Sequence, residues 1–266
     1  MTGHSILPSP LKLRLLPSTT TNDAQRQLLT TFLVDDSVTI DAGSLAFALT
    51  ADEMRRVRNV LISHAHVDHT ASLPLFVSEL FPVLTEPVII HATHHVIDAL
   101  RRFVFNGDIW PNFGQIALRN GHGLALQFYP LEPGTPVLLG NLQVTPIPVN
   151  HVVPTVGFVV EDQYAGFAFT SDTYVTDEIW QAVSSRERVR AVFVDVSYPN
   201  EMEELAAASR HFTPFSLASD LKKLTRDVPV YVVHIKPAYR ESVLCQLAGL
   251  KDPRVSVAEI GRTYEW

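Results

Sequence analysis

The stretch ISHAHVDHT, residues 62–70, places three histidines and an aspartate within six consecutive positions. It overlaps the segment RNVLISH, which has the pattern of a short buried strand, so the polar residues begin where that strand ends. His64 and His66 share one face if the extended geometry continues, and Asp68 and His69 then follow a turn. This spacing offers two ligands to one metal ion and two to a second, about 3.5–4 Å away, as in two-metal hydrolytic sites. The alternative is a polar surface cluster or a set of core histidines. We interpret the cluster as metal-binding.

Four donors cannot complete two metal sites, so further donors are expected at other strand ends. Three candidates directly follow apolar runs, namely His151 after VTPIPVN, Asp172 after FAFTS and His234 after VPVYVV. Taken singly, each has an ordinary alternative as a capping aspartate or a hydrogen-bonded histidine. Their shared strand-end position favours a common site. The remaining histidines lack it and are interpreted as surface or core residues: His4, His91, His94, His95 and His122.

Composition bounds the class of protein. The chain has 266 residues, 46% hydrophobic and 18% charged, without a low-complexity linker, and we expect a single domain over residues 1–266. The net charge of −7 gives no bulk attraction to nucleic acid or to an anionic membrane, so a phosphate substrate needs a local positive centre such as a metal. Cys245 is the single cysteine, which excludes an internal disulfide. No signal peptide or membrane span is visible, and the prediction is a soluble cytoplasmic protein.

Strand and helix patterns are mixed along the whole chain. Helices are expected at TADEMRRVRN, with Thr50 as N-cap, and at TPFSLASDLKKL, with Thr213 as N-cap and Pro214 at the first helical position. The region 106–140 is interpreted as a polar, glycine-containing loop before β character returns in NLQVTPIPV. Strands in each half with interleaved helices predict two sheets packed face to face with helices outside.

These motifs, in this order, resemble the metallo-β-lactamase superfamily. The resemblance implies an α/β fold, an αββα sandwich of two mixed sheets with helices on the outer faces and the site at one edge between the sheets. Asp41, in TIDAG, matches the superfamily's early Asp-x-Gly turn, either as a plain turn residue or as a support behind a ligand. The resemblance also implies the ligands of two divalent metals, the first held by His64, His66 and His151, the second by Asp68, His69 and His234, with Asp172 as the bridge.

Three stretches resemble the class II cyclic-nucleotide phosphodiesterases within that superfamily. They are HAHVDHTASLPLF, FNGDIWPNF at residues 105–113, and VFVDVSYPNEMEELAAASRHFTPFSLASDLKKL followed by VVHIKP. The sequence departs from that family at Val67, where leucine is usual, and at Asp195, where glutamate is common. Ala65 stands where diiron relatives carry a glutamate, which disfavours redox iron chemistry.

These blocks have chemical uses. Trp110 and Phe113 are predicted to form a stacking platform for a purine, with Asn106 and Asn112 reading the base edge. The alternative for the tryptophan is a Trp-Pro packing corner. Lys236 is expected either to meet a phosphate oxygen or to lie on the surface.

His211 precedes the TPF helix start and resembles a histidine of the tRNA 3′-processing endonucleases. In those enzymes a carboxylate orients the histidine near the leaving oxygen, and Asp195 and His211 would be that pair. The alternative is a simple histidine near a helix N-terminus.

The resemblance implies hydrolysis of a 3′,5′-cyclic nucleotide, cAMP or cGMP, to the 5′-monophosphate through a metal-bridging hydroxide. Catalysis would involve Asp68, Asp195 and His211. Zinc suits these nitrogen and oxygen ligands, and manganese or iron also fits. The alternatives are another phosphodiesterase of the superfamily, such as an RNA-processing nuclease, or a metal- or ligand-binding protein without turnover. No nucleic-acid or membrane partner is expected. The choice between cAMP and cGMP and the oligomeric state, a homodimer included, stay open.

Overall fold

The computed structural model describes residues 10–18 and 25–266, and within these residues the strands form two seven-stranded mixed sheets. His4 lies outside the described residues. In chain order the strands are β1 (Lys12–Leu15), β2 (Phe32–Val34), β3 (Val38–Ile40), β4 (Asn59–Ile62), β5 (Val88–Ala92), β6 (Leu126–Pro130), β7 (Val137–Leu139), β8 (Leu142–Val149), β9 (Thr155–Glu161), β10 (Gly166–Phe169), β11 (Val189–Asp195), β12 (Val230–Val233), β13 (Val255–Val257) and β14 (Thr263–Glu265).

Strand direction decides where the functional residues meet. The first sheet has the order β14-β1-β2-β3-β4-β5-β6, in which β3 to β6 are parallel. The second has the order β13-β12-β11-β10-β9-β8-β7, in which β10 to β13 are parallel. Strand β8 runs in the same direction, because it is antiparallel to β9, which is antiparallel to β10. In each sheet the residues that follow these strands therefore lie at one edge.

Helices occupy the outer faces, and their starts follow local sequence rules. They are α1 (Leu45–Ala48), α2 (Ala51–Met54), α3 (Val67–Thr70), α4 (Leu73–Leu80), α5 (His94–Phe103), α6 (Glu178–Ser184), α7 (Glu203–Ser209), α8 (Pro214–Asp220) and α9 (Arg240–Gly249). Both predicted N-caps are confirmed. Thr50 and Glu53 form a capping box at α2, and Thr213 and Ser216 form one at α8.

Three apolar layers hold the sandwich together. Along β4, Val60 and Ile62 pack into the layer beneath α4 and α5, while Leu61 points the other way, as the two-residue period of a strand requires. Between the sheets, Phe32 of β2 contacts Phe169 of β10 with ring centroids 4.9 Å apart. The third layer joins the second sheet to α6, α8 and α9. The predicted αββα sandwich is confirmed.

The sequence interpretation missed several elements. Strands β6 and β7 lie inside the predicted loop 106–140, and β14 was not expected. Strand β6 is an edge strand in which Gln127 and Tyr129 are exposed, so its sequence lacks the apolar run of a central strand. Helix α2 ends at Met54, well short of the predicted TADEMRRVRN span. No helix in the described part of the chain combines the length and apolar character that a bilayer crossing needs.

Candidate metal centre

The first group of donors lies where β4, β8 and β10 end. His64 and His66 follow β4, His151 follows β8 and Asp172 follows β10. One ligand atom from each of these side chains lies within 4.8 Å of the others. His66 Nδ1 is 3.4 Å from His151 Nε2, and His64 Nε2 is 3.7 Å from Asp172 Oδ2. We call these four residues the first donor set.

The second donor set shares Asp172 and adds Asp68, His69 and His234. Asp68 and His69 lie in the single helical turn α3, and His234 follows β12. His69 Nε2 is 3.2 Å from Asp172 Oδ1, and His234 Nε2 is 3.4 Å from Asp172 Oδ2. The structure therefore brings together all seven side chains predicted as metal ligands, with Asp172 common to both sets.

The donor sets fit divalent metal ions. Two ligands bound about 2.0–2.1 Å from one tetrahedral ion lie about 3.3–3.4 Å apart, close to the four separations of 3.2–3.7 Å given above. The Nε2 atoms of His64 and His69 are also buried and, apart from the contacts with the Asp172 carboxylate given above, have no hydrogen-bond partner among the described residues. Buried polar atoms are nearly always satisfied, so these two nitrogens are explained by a ligand of the site. The His/Asp cluster is a candidate site for divalent metals.

Asp41 supports two of these ligands from behind. Its carboxylate accepts hydrogen bonds from the Ser63 N–H and hydroxyl, at 2.9 Å each, and from His69 Nδ1–H at 2.6 Å. Because the Ser63 hydroxyl donates to Asp41, it accepts from His64 Nδ1–H, 3.0 Å away. Both imidazoles therefore present Nε2 to the cluster, and Asp41 is more than a turn residue.

Two further imidazoles are oriented in the same way. His151 Nδ1–H donates to the carbonyl of Arg210 at 3.2 Å, and His234 Nδ1 lies 3.1 Å from the hydroxyl of Thr30. Sequence reasoning missed Thr30, Ser63 and Arg210. Ser63 is the only one with a sequence signal, since it directly precedes His64, whereas Thr30 lies 204 residues from its partner.

The backbone around the centre adopts uncommon conformations. Four non-glycine residues with left-handed φ angles are ligands, their supports or their direct neighbours, namely Asp41 (59°), Ser171 (57°), Arg210 (56°) and His234 (64°). Such conformations are uncommon for non-glycine residues and concentrate at functional sites. The glycine of TIDAG has a steric reason, because a Cβ at Gly43 would lie 2.0 Å from the carbonyl oxygen of Asp68.

Burial sets the charge state of most of the imidazoles. It lowers the pKa of His64, His66 and His151, and it lowers the pKa of His234 to about 4. Burial also disfavours a charged His69, but Asp172 and Asp41 outweigh it and raise the pKa of His69 well above its usual value. Metal binding requires neutral imidazoles, a state that four of the five already favour.

The predicted pair of Asp195 and His211 is formed. His211 Nδ1–H donates to Asp195 Oδ2 at 2.7 Å, and the hydroxyl of Ser197 donates to Asp195 Oδ1 at 2.8 Å. The His211 ring stacks on His234 at 5.6 Å and meets His151 edge-to-face at 5.1 Å, so it lies between the two donor sets. Burial lowers its pKa, but Asp195 outweighs burial and the pKa of His211 is raised.

Lys236 also reaches the centre. Its Nζ is 2.9 Å from His234 Nε2 and 3.6 Å from Asp68 Oδ2, with about a third of the side chain exposed (32%). Of the two alternatives drawn from the sequence, these contacts favour a place at the centre, and the side chain is also partly exposed.

The four residues predicted to bind the base lie in different local environments. Phe113 is 4% exposed and packs in the core against Phe81, with ring centroids 5.3 Å apart, so it has no free face for a base. Trp110 is half-buried and packs against the same layer. The side-chain oxygen of Asn106 accepts from the N–H groups of Asp108 and Ile109, which uses it in a local turn.

Asn112 lies beside a separate cavity of about 540 Å³ that Arg101 also lines, and no residue of either donor set lines it. The histidines without strand-end positions lie apart from the centre as expected. His91 is buried and bonds Asn59, while His94, His95 and His122 are exposed.

Comparison with known proteins agrees with this architecture. The model of a family described as the beta-lactamase superfamily domain matches residues 30–235. A probable 3′,5′-cyclic-nucleotide phosphodiesterase of Yersinia pestis is 26% identical over 70% of this chain, and the match spans 59% of that protein's length. A 3′,5′-cyclic-nucleotide phosphodiesterase of Aliivibrio fischeri is 25% identical, over 86% of this chain and 80% of that protein.

A solved structure agrees with the fold. The crystal structure of unliganded yeast PDE1 superposes with a TM-score of 0.75 at 15% identity, covering 96% of this chain and 99% of that one. The sandwich, the donor cluster at its edge and the match over most of the sequence lead to one assignment: the chain belongs to the metallo-β-lactamase superfamily.

Proposed function

We propose that the protein is a binuclear metal-dependent phosphodiesterase that hydrolyses 3′,5′-cyclic nucleotides to 5′-nucleoside monophosphates. The substrate class is supported by the names of the Y. pestis and A. fischeri relatives. The reaction class rests on one observation, which is that the Asp195–His211 pair lies between two donor sets that share Asp172. Phosphodiester hydrolysis needs charge neutralisation, an activated water and a proton for the leaving oxygen, and this arrangement has a candidate for each.

The first donor set would hold one divalent ion and the second donor set the other, with Asp172 between them. Zinc is the proposed metal because imidazole and carboxylate ligands suit it, and manganese or iron would also fit. When bound, the ions would supply positive charge to the phosphate and lower the pKa of the attacking water.

Side chains of the protein would donate and accept the protons that the reaction moves. The 3′ oxygen leaves as an alkoxide when its bond to phosphorus breaks, and His211 would give it a proton from Nε2, since Nδ1 is held by Asp195. Asp68 has about a quarter of its side chain exposed (28%), which leaves its carboxylate accessible to accept a proton from the attacking water. Lys236, beside Asp68, would meet a phosphate oxygen.

The enzyme alternative is an RNA-processing nuclease of the same superfamily. Binding a long RNA requires many lysine and arginine contacts to its phosphates. The chain carries 21 basic and 28 acidic residues. That balance favours a small substrate with one phosphodiester.

The test is a substrate panel run on protein whose metal content is measured. Cyclic AMP, cyclic GMP, bis(p-nitrophenyl) phosphate and a short RNA should be assayed after reconstitution with zinc or manganese. Hydrolysis of a cyclic nucleotide to the 5′-monophosphate, abolished by chelator and restored by metal, is the expected result. Metal binding without turnover of any phosphodiester would mean a non-catalytic binding protein, and cleavage of RNA alone would mean a nuclease.

A further inference from the structure

The two donor sets differ in what else reaches them. The first contains three imidazoles and the shared Asp172, whereas the second contains two imidazoles and a further carboxylate, Asp68. Lys236 extends into the second set, with Nζ 2.9 Å from His234 Nε2 and 3.6 Å from Asp68 Oδ2. An ammonium group therefore contacts two of the four residues that would hold the second metal.

Lys236 contacts His234 at Nε2, the same atom that would bind the metal ion. An ammonium nitrogen only donates hydrogen bonds, so His234 Nε2 must accept from Lys236, and the ring proton lies on Nδ1 facing Thr30. The lone pair on Nε2 serves one partner at a time. A hydrogen bond from Lys236 and a bond to a metal ion are mutually exclusive at this nitrogen.

We propose that the Lys236 ammonium competes with the second metal ion for the second donor set. Without that ion Lys236 neutralises Asp68 and satisfies His234, and the ion binds only by displacing it. The second site is therefore weaker than the first. This inference rests on the metal-ligand part of the proposed function and is independent of the substrate.

The surroundings allow the side chain to move while the backbone stays fixed. The Lys236 N–H donates to the carbonyl of Ser197 at 3.3 Å, and its own carbonyl accepts from the N–H of Tyr239 at 2.9 Å. The His234 N–H donates to the side chain of Gln27 at 2.8 Å. With both ends of the segment held, displacement needs only a rotation of the flexible lysine chain toward solvent, where a substrate phosphate would meet it.

Calorimetric titration of zinc into chelator-treated full-length protein tests the competition. Wild type should bind one ion tightly and a second more weakly. Lys236→Met keeps the length and apolar stem but removes the charge, so its second site should tighten by about tenfold or more while the first stays unchanged. Lys236→Arg keeps the charge and should retain a weak second site. Lys222→Met changes an exposed lysine elsewhere and should behave as wild type.

The outcomes separate this inference from the proposed function. A single ion in wild type and two in Lys236→Met would support competition in its strongest form. An unchanged or weaker second site in Lys236→Met, with cyclic-nucleotide hydrolysis by the wild type established, would overturn the competition and leave the proposed function standing. Failure of every variant to bind metal would overturn both. A thermal melt of each apo variant checks that the fold is kept.

Discussion

The sequence predicts functional roles for both the donor cluster and the segment 105–113, but only the residues of the donor cluster come together in the structure. All seven predicted ligands converge at one edge of the sandwich, whereas Phe113 lies in the core and Asn106 serves a local turn. The difference follows from what each residue type can otherwise do. Several imidazoles and carboxylates crowded at a strand end have few stable uses without a common ligand. An aromatic ring in a loop has a common alternative, which is packing.

The largest expected effect is that of Asp172→Ala. Asp172 is 2% exposed and belongs to both donor sets, so its loss should lower turnover more than any other single ligand change and reduce the bound metal below two ions per chain. Turnover on a cyclic nucleotide and metal content by mass spectrometry are the measurements. Asp98→Ala, an exposed carboxylate on α5, is the matched control. Retention of most wild-type turnover would show that the two sets do not depend on a shared carboxylate.

The second prediction concerns the group that gives a proton to the leaving 3′ oxygen. His211→Ala should keep both metals and lower kcat on a cyclic nucleotide by about 10²–10⁴-fold, the usual contribution of a general acid. The loss on bis(p-nitrophenyl) phosphate should be far smaller, because p-nitrophenolate leaves without a proton. Asp195→Asn should have the same selectivity in milder form, since Asp195 orients the imidazole and does not itself supply the proton.

His95→Ala, which alters an exposed histidine, is the control for this pair. Equal losses on the two substrates would mean that His211 binds phosphate or supports the fold. The general acid would then have to be another group at the same edge of the sandwich.

Asp41→Asn should weaken metal binding indirectly, because Asp41 is not a ligand but orients ligands. It keeps the shape of the side chain but removes the charge that accepts the His69 Nδ1–H at 2.6 Å. Loss of such a support typically lowers metal affinity by about 10–100-fold. Zinc titration should find a weaker second site, the opposite direction from Lys236→Met, and a smaller weakening of the first site, whose His64 Asp41 supports only through Ser63. Asp98→Asn should leave both sites unchanged. An unaltered affinity would return Asp41 to the role of a plain turn residue.

Local patterns predicted the centre because His151, Asp172 and His234 each come just after a strand and the other four ligands form one short cluster after β4. Such a position is readable from the apolar run before it, as in FAFTSD for Asp172. The residues that hold the ligands in place could not be predicted from the sequence. Thr30, for example, is 204 residues from His234 and contacts it only because the two sheets pack together. Strand β6 was missed for a related reason. Its exposed Gln127 and Tyr129 belong to an edge, and it is the pairing with β5 that makes it a strand.

The smallest effect on activity is expected for Trp110→Ala. The indole is half-buried and packs against the helix-covered face of the first sheet, so its removal should lower the free energy of unfolding. The loss should stay below the about 3–5 kcal/mol that truncation of a fully buried tryptophan costs. The folded variant should keep KM and kcat on both a cyclic nucleotide and bis(p-nitrophenyl) phosphate. Ile109→Ala, at a position 68% exposed, is the control that should leave stability unchanged.

A cyclic-nucleotide affinity weakened by about 1–3 kcal/mol, with the base-free diester spared, would instead mean that Trp110 stacks on the base. Segment 105–113 would then join the site after all.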